Sequence, residues 1–483
     1  MATLSDILVD EDKVKLREWY EERNRRRMRE AYRTAGDKLQ ELVDANRELR
    51  TKLVAIHIEG ASHTRRGFLE SIIEPYLAEA SKTGVTLPEV LSVTHRLGKV
   101  LVRTDAFREI RSQLRRNESI YGGKDELELL VKVKPRSRFF ARTSTEIGNN
   151  EGSASINTTI RSLFQSADSM SASLSFGTRN RRALDFSFTA PLVALDPEVE
   201  TWAALHAFAR ETDWTSSSGC VLREEGMKAV LRMMKGKSRS EFAYEAGVRR
   251  VGDLLPEASI RIREEAGSSV RSALTHSWIY DSRDDPSGMS GTRGIYFKTL
   301  QELAGGFLGG DAYHLKTSFE SQLSRGLLPG LTISLAARTG LLYPLGSTPK
   351  TALADRFFMG GSSSVRMFKE RGMGPHDKGD ALGGEIAWST GVSLIGDIPK
   401  KAHWPLKWHA FVNAGRLDAY NPSEDLPPQL LEALQKPSVS AGLGLTYMFD
   451  PVRIEMNFGM PLVRSAGEKV RKGLQVGVGI EFL

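Results

Sequence analysis

Residues 473–483 (GLQVGVGIEFL) alternate without a break. Leu474, Val476, Val478, Ile480 and Phe482 point one way, and Gln475, Gly477, Gly479 and Glu481 the other, because successive side chains of a strand face opposite sides. One apolar face and one small, polar face is what a transmembrane barrel needs between lipid and a wet lumen, and a chain that stops inside such a strand suggests a closing seam. Upstream, from about Arg138, strand-like segments of roughly ten residues recur between turn signals, clearest at 183–189, 313–324 and 452–460. In the last of these Val452, Ile454, Met456, Phe458 and Met460 oppose Arg453, Glu455, Asn457 and Gly459. Polar faces this charged do not suit a dry sandwich core. About sixteen such segments are expected, and an even number returns the C-terminus to the side on which the first strand begins.

The first third of the chain has a different rhythm. Residues 5–50 read as a charged helix, with Leu39, Leu42, Val43 and Leu49 at helical spacing and Arg25, Arg26, Arg27 and Arg29 offset by Glu18, Glu21, Glu22 and Glu30. Residues 53–60 (LVAIHIEG) read as a short strand stopped by Gly60, 64–80 and 87–103 as helices, and 107–113 and 126–133 as strands. The order β-α-α-β-β over residues 51–135 is that of a small α+β module, and it resembles a polypeptide-transport-associated (POTRA) domain. The expected organisation is therefore a helical segment (1–50), a POTRA-like domain (51–135) and a mainly β, about 16-stranded antiparallel transmembrane barrel (136–483).

Composition narrows the class. Hydrophobic residues make up 40% of the 483, and mean hydropathy is −0.31. No apolar run approaches the roughly 20 residues of a spanning helix, whereas a barrel strand needs only about 9 to 11, half of them polar. The single cysteine, Cys220, excludes an intramolecular disulfide framework and reads as an inert side chain. A net charge of +7 is spread among interspersed acids and bases, so a solvated surface is expected and no nucleic-acid partner. The start, MATLSDILVDEDK, lacks both a secretory apolar core and an acid-poor presequence. A barrel without a cleavable signal points to the mitochondrial outer membrane.

Three patterns then converge. Asp281, Arg283 and Asp284, followed by Thr292, Arg293 and Gly294, resemble the strand-joining turn of the bacterial outer-membrane barrel-assembly superfamily. Residues 355–375 (DRFFMGGSSSVRMFKERGMGP) form a Gly/Ser-rich segment too long for an ordinary connection. It resembles the superfamily's loop that folds back into the lumen, with Val365, Arg366, Met367 and Phe368 at its tip. Met367 stands where the family has glycine, which puts the tight turn there in doubt. Phe411, Asn413 and Gly415 resemble the family's Phe-x-Asp-x-Gly, with Asn for Asp. The substitution moves the charge partner expected for Arg366 to Glu385, because a guanidinium inside a barrel needs carboxylate or amide oxygens.

With Gln475, Gly477, Ile480 and Phe482 fitting the terminal β-signal of mitochondrial barrel precursors, the chain after residue 50 resembles the family of central barrel subunits of the mitochondrial sorting and assembly machinery. The resemblance implies insertion of β-barrel precursors of porin and import-pore type, peripheral subunits on the cytosolic face, and the POTRA-like domain and C-terminus in the intermembrane space. The expected gate lies between a first strand carrying Phe139, Ala141, Thr143, Thr145 and Ile147 and a last strand carrying Gly473, Gln475, Gly477, Gly479, Ile480 and Phe482. No cofactor, metal or catalytic site is expected: Ser362, Ser363 and Ser364 lack a nucleophile elbow's closing glycine, and His376, Asp377 and Asp380 lack a second ligand pair. The alternative is a polypeptide or solute conduit of the same architecture.

Overall fold

The structure is a computed structural model that describes residues 23–24, 27, 41, 43–82, 84–117, 123, 125–148, 151–193, 199–284, 293–346, 351–399, 401, 404–449 and 452–479. It divides into two units, Met1–Arg136 and Ser137–Leu483. Most of the expected N-terminal helix, together with Thr292, Ile480 and Phe482, lies outside the described residues, as does the side chain of Ile147.

The first unit runs β1 (Lys52–Glu59), α1 (Arg66–Ala80), α2 (Leu87–Arg103), β2 (Phe107–Arg116) and β3 (Glu126–Pro135). Its sheet has the order β1-β3-β2, with β1 parallel to β3 and β3 antiparallel to β2. Helix α2 starts where the sequence dictates. Thr86 and Glu89 form a capping box, the Thr86 amide donating to Glu89 Oε2 at 2.8 Å, and Pro88 occupies the first turn, where its missing N–H is harmless. Val90, Val93, Leu97 and Leu101 fall on one stripe and are buried with Ile72, Tyr76, Leu53 and Leu129.

The second unit is one sixteen-stranded antiparallel sheet in which chain neighbours pair throughout. Its strands are β4 (Phe139–Gly148), β5 (Glu151–Arg161), β6 (Ser169–Gly177), β7 (Asn180–Pro191), β8 (Glu200–Asp213), β9 (Val221–Lys235), β10 (Ser238–Gly252), β11 (Gly267–Asp281), β12 (Arg293–Ala304), β13 (His314–Leu328) and β14 (Leu331–Pro344). A long connection holding the two-residue strands β15 (His376–Asp377) and β16 (Asp380–Ala381) leads to β17 (Ile386–Asp397), β18 (Leu406–Asp418), β19 (Ser438–Phe449), β20 (Val452–Val463) and β21 (Gly473–Gly479). Short helices α3 (Thr215–Ser218) and α4 (Ile260–Glu264) cap two turns. Helix α5 (Leu426–Gln435), between β18 and β19, was not expected from the pattern. Prolines at 427 and 428 stand in its first turn, where they are tolerated.

Alternation assigns the two faces. Glu455, Asn457, Gln475 and Gly477 are buried, while Met456, Phe458, Leu474 and Val476 are exposed. Among the described residues no helix is long and apolar enough to cross a membrane. The sheet curls on itself: one connection touches β10, β13, β18, β20 and β21, and β21 comes within 8 Å of β4. Among the described residues no ladder register joins β4 to β21, the sheet's two ends.

Candidate functional site: a loop seated on the last strands

The 355–375 segment is folded inward and packed. Val365, Arg366, Met367 and Phe368 are all at most 1% exposed, and Val365 and Phe368 form an apolar cluster with Met359, Met373 and Leu417. The Arg366 guanidinium lies flat against Glu455 of β20, Nε to Oε2 at 3.0 Å and Nη2 to Oε1 at 3.2 Å. Its Nη1 donates to Asn413 Oδ1 at 3.3 Å, and its Cζ stands 5.0 Å from the centre of the Phe411 ring. A Cβ at Gly415 would lie 3.1 Å from Val365 Cγ2, so glycine makes room for the tip. Phe411, Asn413 and Gly415 thus supply a cation–π face, an acceptor and clearance on one strand face.

The charge partner differs from expectation. Glu385 does not meet Arg366; it is buried beside Arg356 (Nε to Oε1 3.3 Å) and accepts from the Tyr420 amide at 3.0 Å and from the Thr351 hydroxyl. It closes the loop's base. Glu455 takes the tip instead because β20 presents it on the inner face, with Asn457 Nδ2 donating to Glu455 Oε2 at 3.0 Å as further support. The tight turn that Met367 put in doubt is present, with Met367 itself at a left-handed φ of +67°. The Met367 amide donates to Gln475 Oε1 at 2.9 Å and Gln475 Nε2 donates to the Phe368 carbonyl at 3.2 Å, so the last strand holds the turn from both sides.

Two further anchors were missed in the sequence. Asp355, at the start of the segment, is buried and paired with Arg249 of β10, and its carbonyl accepts from Lys316 of β13 at 2.6 Å. Around it lie Glu302, which pairs with Arg271 at 2.6 Å, and His314, whose Nε2 is 3.1 Å from Glu302. Glu302, His314 and Asp355 are close enough to share a cation, but Arg249, Arg271 and Lys316 already bring the positive charge. The second anchor is Arg371, whose guanidinium lies against the edge-to-face pair of Trp214 (4.0 Å) and Phe358 (4.3 Å). Cys220 packs in the adjoining cluster with Leu222, Ile262, Leu353 and Leu382, and burial pushes its thiol up to about 11. Arg371 and Asp355 carried no motif; apart from Phe358 of the segment itself, their partners come from β10, β13 and the β8–β9 turn, far away in the chain.

The strand-joining turn is built as its residues suggest. Asp281 Oδ1 accepts from the Arg283 amide at 3.1 Å and from its Nε at 3.0 Å, Asp281 Oδ2 accepts from Nη2 at 2.8 Å, and the guanidinium covers Tyr296. The Asp284 amide donates to the Arg293 carbonyl at 3.0 Å. Gly294, at φ +137°, comes so near that a Cβ would lie 2.3 Å from Arg283 Cα. Of the first-strand residues, Phe139, Ala141, Thr143 and Thr145 are exposed and pair with Ile160, Thr158, Ile156 and Ala154 of β5. In β21, Gly473 has φ +86°, Gly477 is buried opposite Glu455, and Gly479 pairs with Arg453.

Sixteen antiparallel strands around an in-folded loop define a class, and the description of the Omp85 superfamily domain matches residues 163–482. The chain belongs to that superfamily. A SAM50-like protein of Schizosaccharomyces pombe is 33% identical, covering 92% of this chain and 94% of its own. The sorting and assembly machinery component 50 homolog B of Xenopus laevis is 31% identical over 89% of this chain and 90% of its own. Within the superfamily, the chain therefore belongs to the sorting and assembly machinery component 50 family. BamA from Haemophilus ducreyi lacking POTRA domains 1–3 shares the fold, with a TM-score of 0.70 at 15% identity, covering 89% of this chain and 85% of that one.

Proposed function

We propose that this chain, a β-barrel of the mitochondrial outer membrane by its family, inserts β-barrel precursors there through a gate between β4 and β21. The observation that carries the reading is the seam: β4 and β21 approach each other, yet among the described residues no ladder joins them. In hydrocarbon each unpaired backbone group costs several kcal/mol, so an open edge must be matched as it is exposed. A precursor's terminal strand offers that match by adding to the edge of β4. The outer face of β4 favours the exchange, because Ala141, Thr143 and Thr145 bury little apolar area.

The last strand is the better held partner. Gln475 ties β21 to the loop tip and Arg366 ties the same tip to β20. The reading requires no cofactor and no catalytic group, since hydrogen bonds broken at the seam are replaced by hydrogen bonds formed. It sets residues 51–135 and the C-terminus in the intermembrane space, where precursors arrive, with peripheral subunits on the opposite face. The same fold could serve as a conduit, but the packed loop occupies the lumen that a conduit needs open.

The test places cysteines at Thr143 or Thr145 and along the terminal strand of an arrested precursor, on a Cys220→Ser background. Crosslinks in a single register with the precursor's terminal strand are expected. Crosslinks confined to lumenal positions would favour a conduit, and undiminished porin assembly with β4 and β21 covalently joined would end the gate reading.

A further inference from the structure

Helix α5 packs on the outside of the barrel wall. Ser389 and Gly415 pair across β17 and β18 and share the inner face with Asn413, so the next pair, Trp388 and Arg416, faces outward. The Trp388 indole N–H donates to the Ala433 carbonyl at 2.9 Å, and Arg416 Nη1 donates to the Lys436 carbonyl at 2.8 Å. The helix turns Leu426, Gln429, Leu430 and Ala433 to the wall.

A surface helix normally carries one apolar stripe. This one carries two. Pro427, Leu431 and Leu434, at i, i+4 and i+7, form a second stripe, with Leu431 58% and Leu434 59% exposed. The far flank is polar, with Glu432 and Lys436 paired at 2.9 Å. The second stripe therefore needs an apolar neighbour that the wall does not supply, and the polar flank needs water.

We propose that α5 is an interfacial helix: its Leu431–Leu434 stripe lies in the boundary between lipid headgroups and acyl chains, and it fixes the depth of the barrel in the bilayer. Depth is the supporting observation. Trp388 is level with Arg416 on β18, and Trp408 lies eight residues away on the same outward face. At about 3.4 Å per residue and a tilt of about 40° the two indoles are roughly 20 Å apart along the membrane normal, close to the ~25 Å apolar band between aromatic girdles. Between those levels Val392, Val412 and Leu443 are outward, apolar and exposed, and the outward Thr390 returns its hydroxyl to the Ala336 carbonyl at 3.1 Å. Trp388 thus marks one rim of the lipid band, and the helix bonded to it sits at that rim. The inference depends on the barrel and its lipid face, not on strand exchange.

The test uses the full chain with Cys220→Ser, reconstituted in phosphatidylcholine liposomes. A polarity-sensitive fluorophore is attached at Leu431→Cys, Leu434→Cys or Gln435→Cys, positions whose exposed side chains leave the fold intact. Labels at 431 and 434 are expected to be quenched by lipids spin-labelled near the headgroup and to be shielded several-fold from aqueous iodide relative to 435. Equal iodide access at all three positions, with no quenching from lipid, overturns the proposal. So does shielding at 431 and 434 that arises only on adding other outer-membrane proteins, which would make the stripe a protein-docking surface.

Discussion

Arg366 and Glu455 form a two-pronged ion pair at 1% and 0% exposure, joining a loop tip to a strand 89 residues away. Removing one partner of such a buried pair leaves the other uncompensated, at a cost of about 3 to 5 kcal/mol. Arg366→Ala and Glu455→Ala should each release the tip, seen as faster proteolytic cutting within 355–375 and a lower melting temperature. In a double-mutant cycle the two losses should be far from additive. Additive losses would mean the pair does not seat the loop.

Met367 sets two effects against each other. Its left-handed backbone costs about 1 to 2 kcal/mol relative to a glycine there. Its side chain is fully buried, and a buried methionine contributes about 1.5 to 3 kcal/mol. Burial wins. Met367→Gly should therefore loosen the loop by about 1 kcal/mol rather than tighten it, while Met367→Val, β-branched at positive φ, should do worse. Protease sensitivity of the loop ranks the three.

Gly415 offers a way to disturb the tip without touching a charge. A methyl there meets Val365 Cγ2 and Ser389 Cβ at 3.1 Å and the Trp388 carbonyl at 2.9 Å. Gly415→Ala should push Val365 off its seat and cost about 1 to 3 kcal/mol, the usual range for overpacking. Combining it with Val365→Ala should recover only the part of the loss owed to Val365, because the Trp388 carbonyl and Ser389 Cβ still crowd the methyl.

How much of this was legible beforehand follows from where each constraint resides. The barrel was readable because lipid and water impose a two-residue alternation on every strand, as in 473–479. The loop stood out because the Gly/Ser-rich run around Arg366 is too long for an ordinary connection, and its inward fold was legible only through the family resemblance of Val365 to Phe368. The partner was not. Glu385 is near in sequence, but Glu455 is near in space only through the stagger of β18, β19 and β20, which no single strand encodes. Its place on a polar face beside Arg453 and Asn457 was visible; its meeting with Arg366 was not. Likewise the Asp355 and Arg371 anchors draw partners from β10, β13 and the β8–β9 turn, contacts that exist only once the sheet has curled. Helix α5 hid behind Pro427 and Pro428, which read as breakers unless the chain is known to begin a helix there.

Cys220 makes a pH prediction. It is fully buried, and its thiol is raised from 9.0 to about 11 by burial. Between those values the unfolded chain releases the thiol proton while the folded chain keeps it. Stability from this group is therefore complete below pH 9 and falls as pH rises toward 11, by about 2 to 3 kcal/mol. Cys220→Ala should flatten that slope, and a maleimide reagent at pH 8 should label the wild-type chain only after unfolding.

Arg179, in the turn between β6 and β7, pairs with Glu370 of the loop, linking the first strands to the element that grips the last one. The two side chains are 32% and 48% exposed, so the pair is worth no more than about 1 kcal/mol to overall stability. Its effect should appear in the seam instead, because about 1 kcal/mol on one side of a near-balanced opening changes the open-to-closed ratio roughly fivefold. Glu370→Lys should leave the melting temperature almost unchanged while raising crosslinking between Thr145→Cys and an arrested precursor. High salt should mimic it in the wild type. The double exchange Arg179→Glu with Glu370→Lys should restore the original yield, and a crosslinking yield indifferent to all three conditions would separate this ion pair from gating.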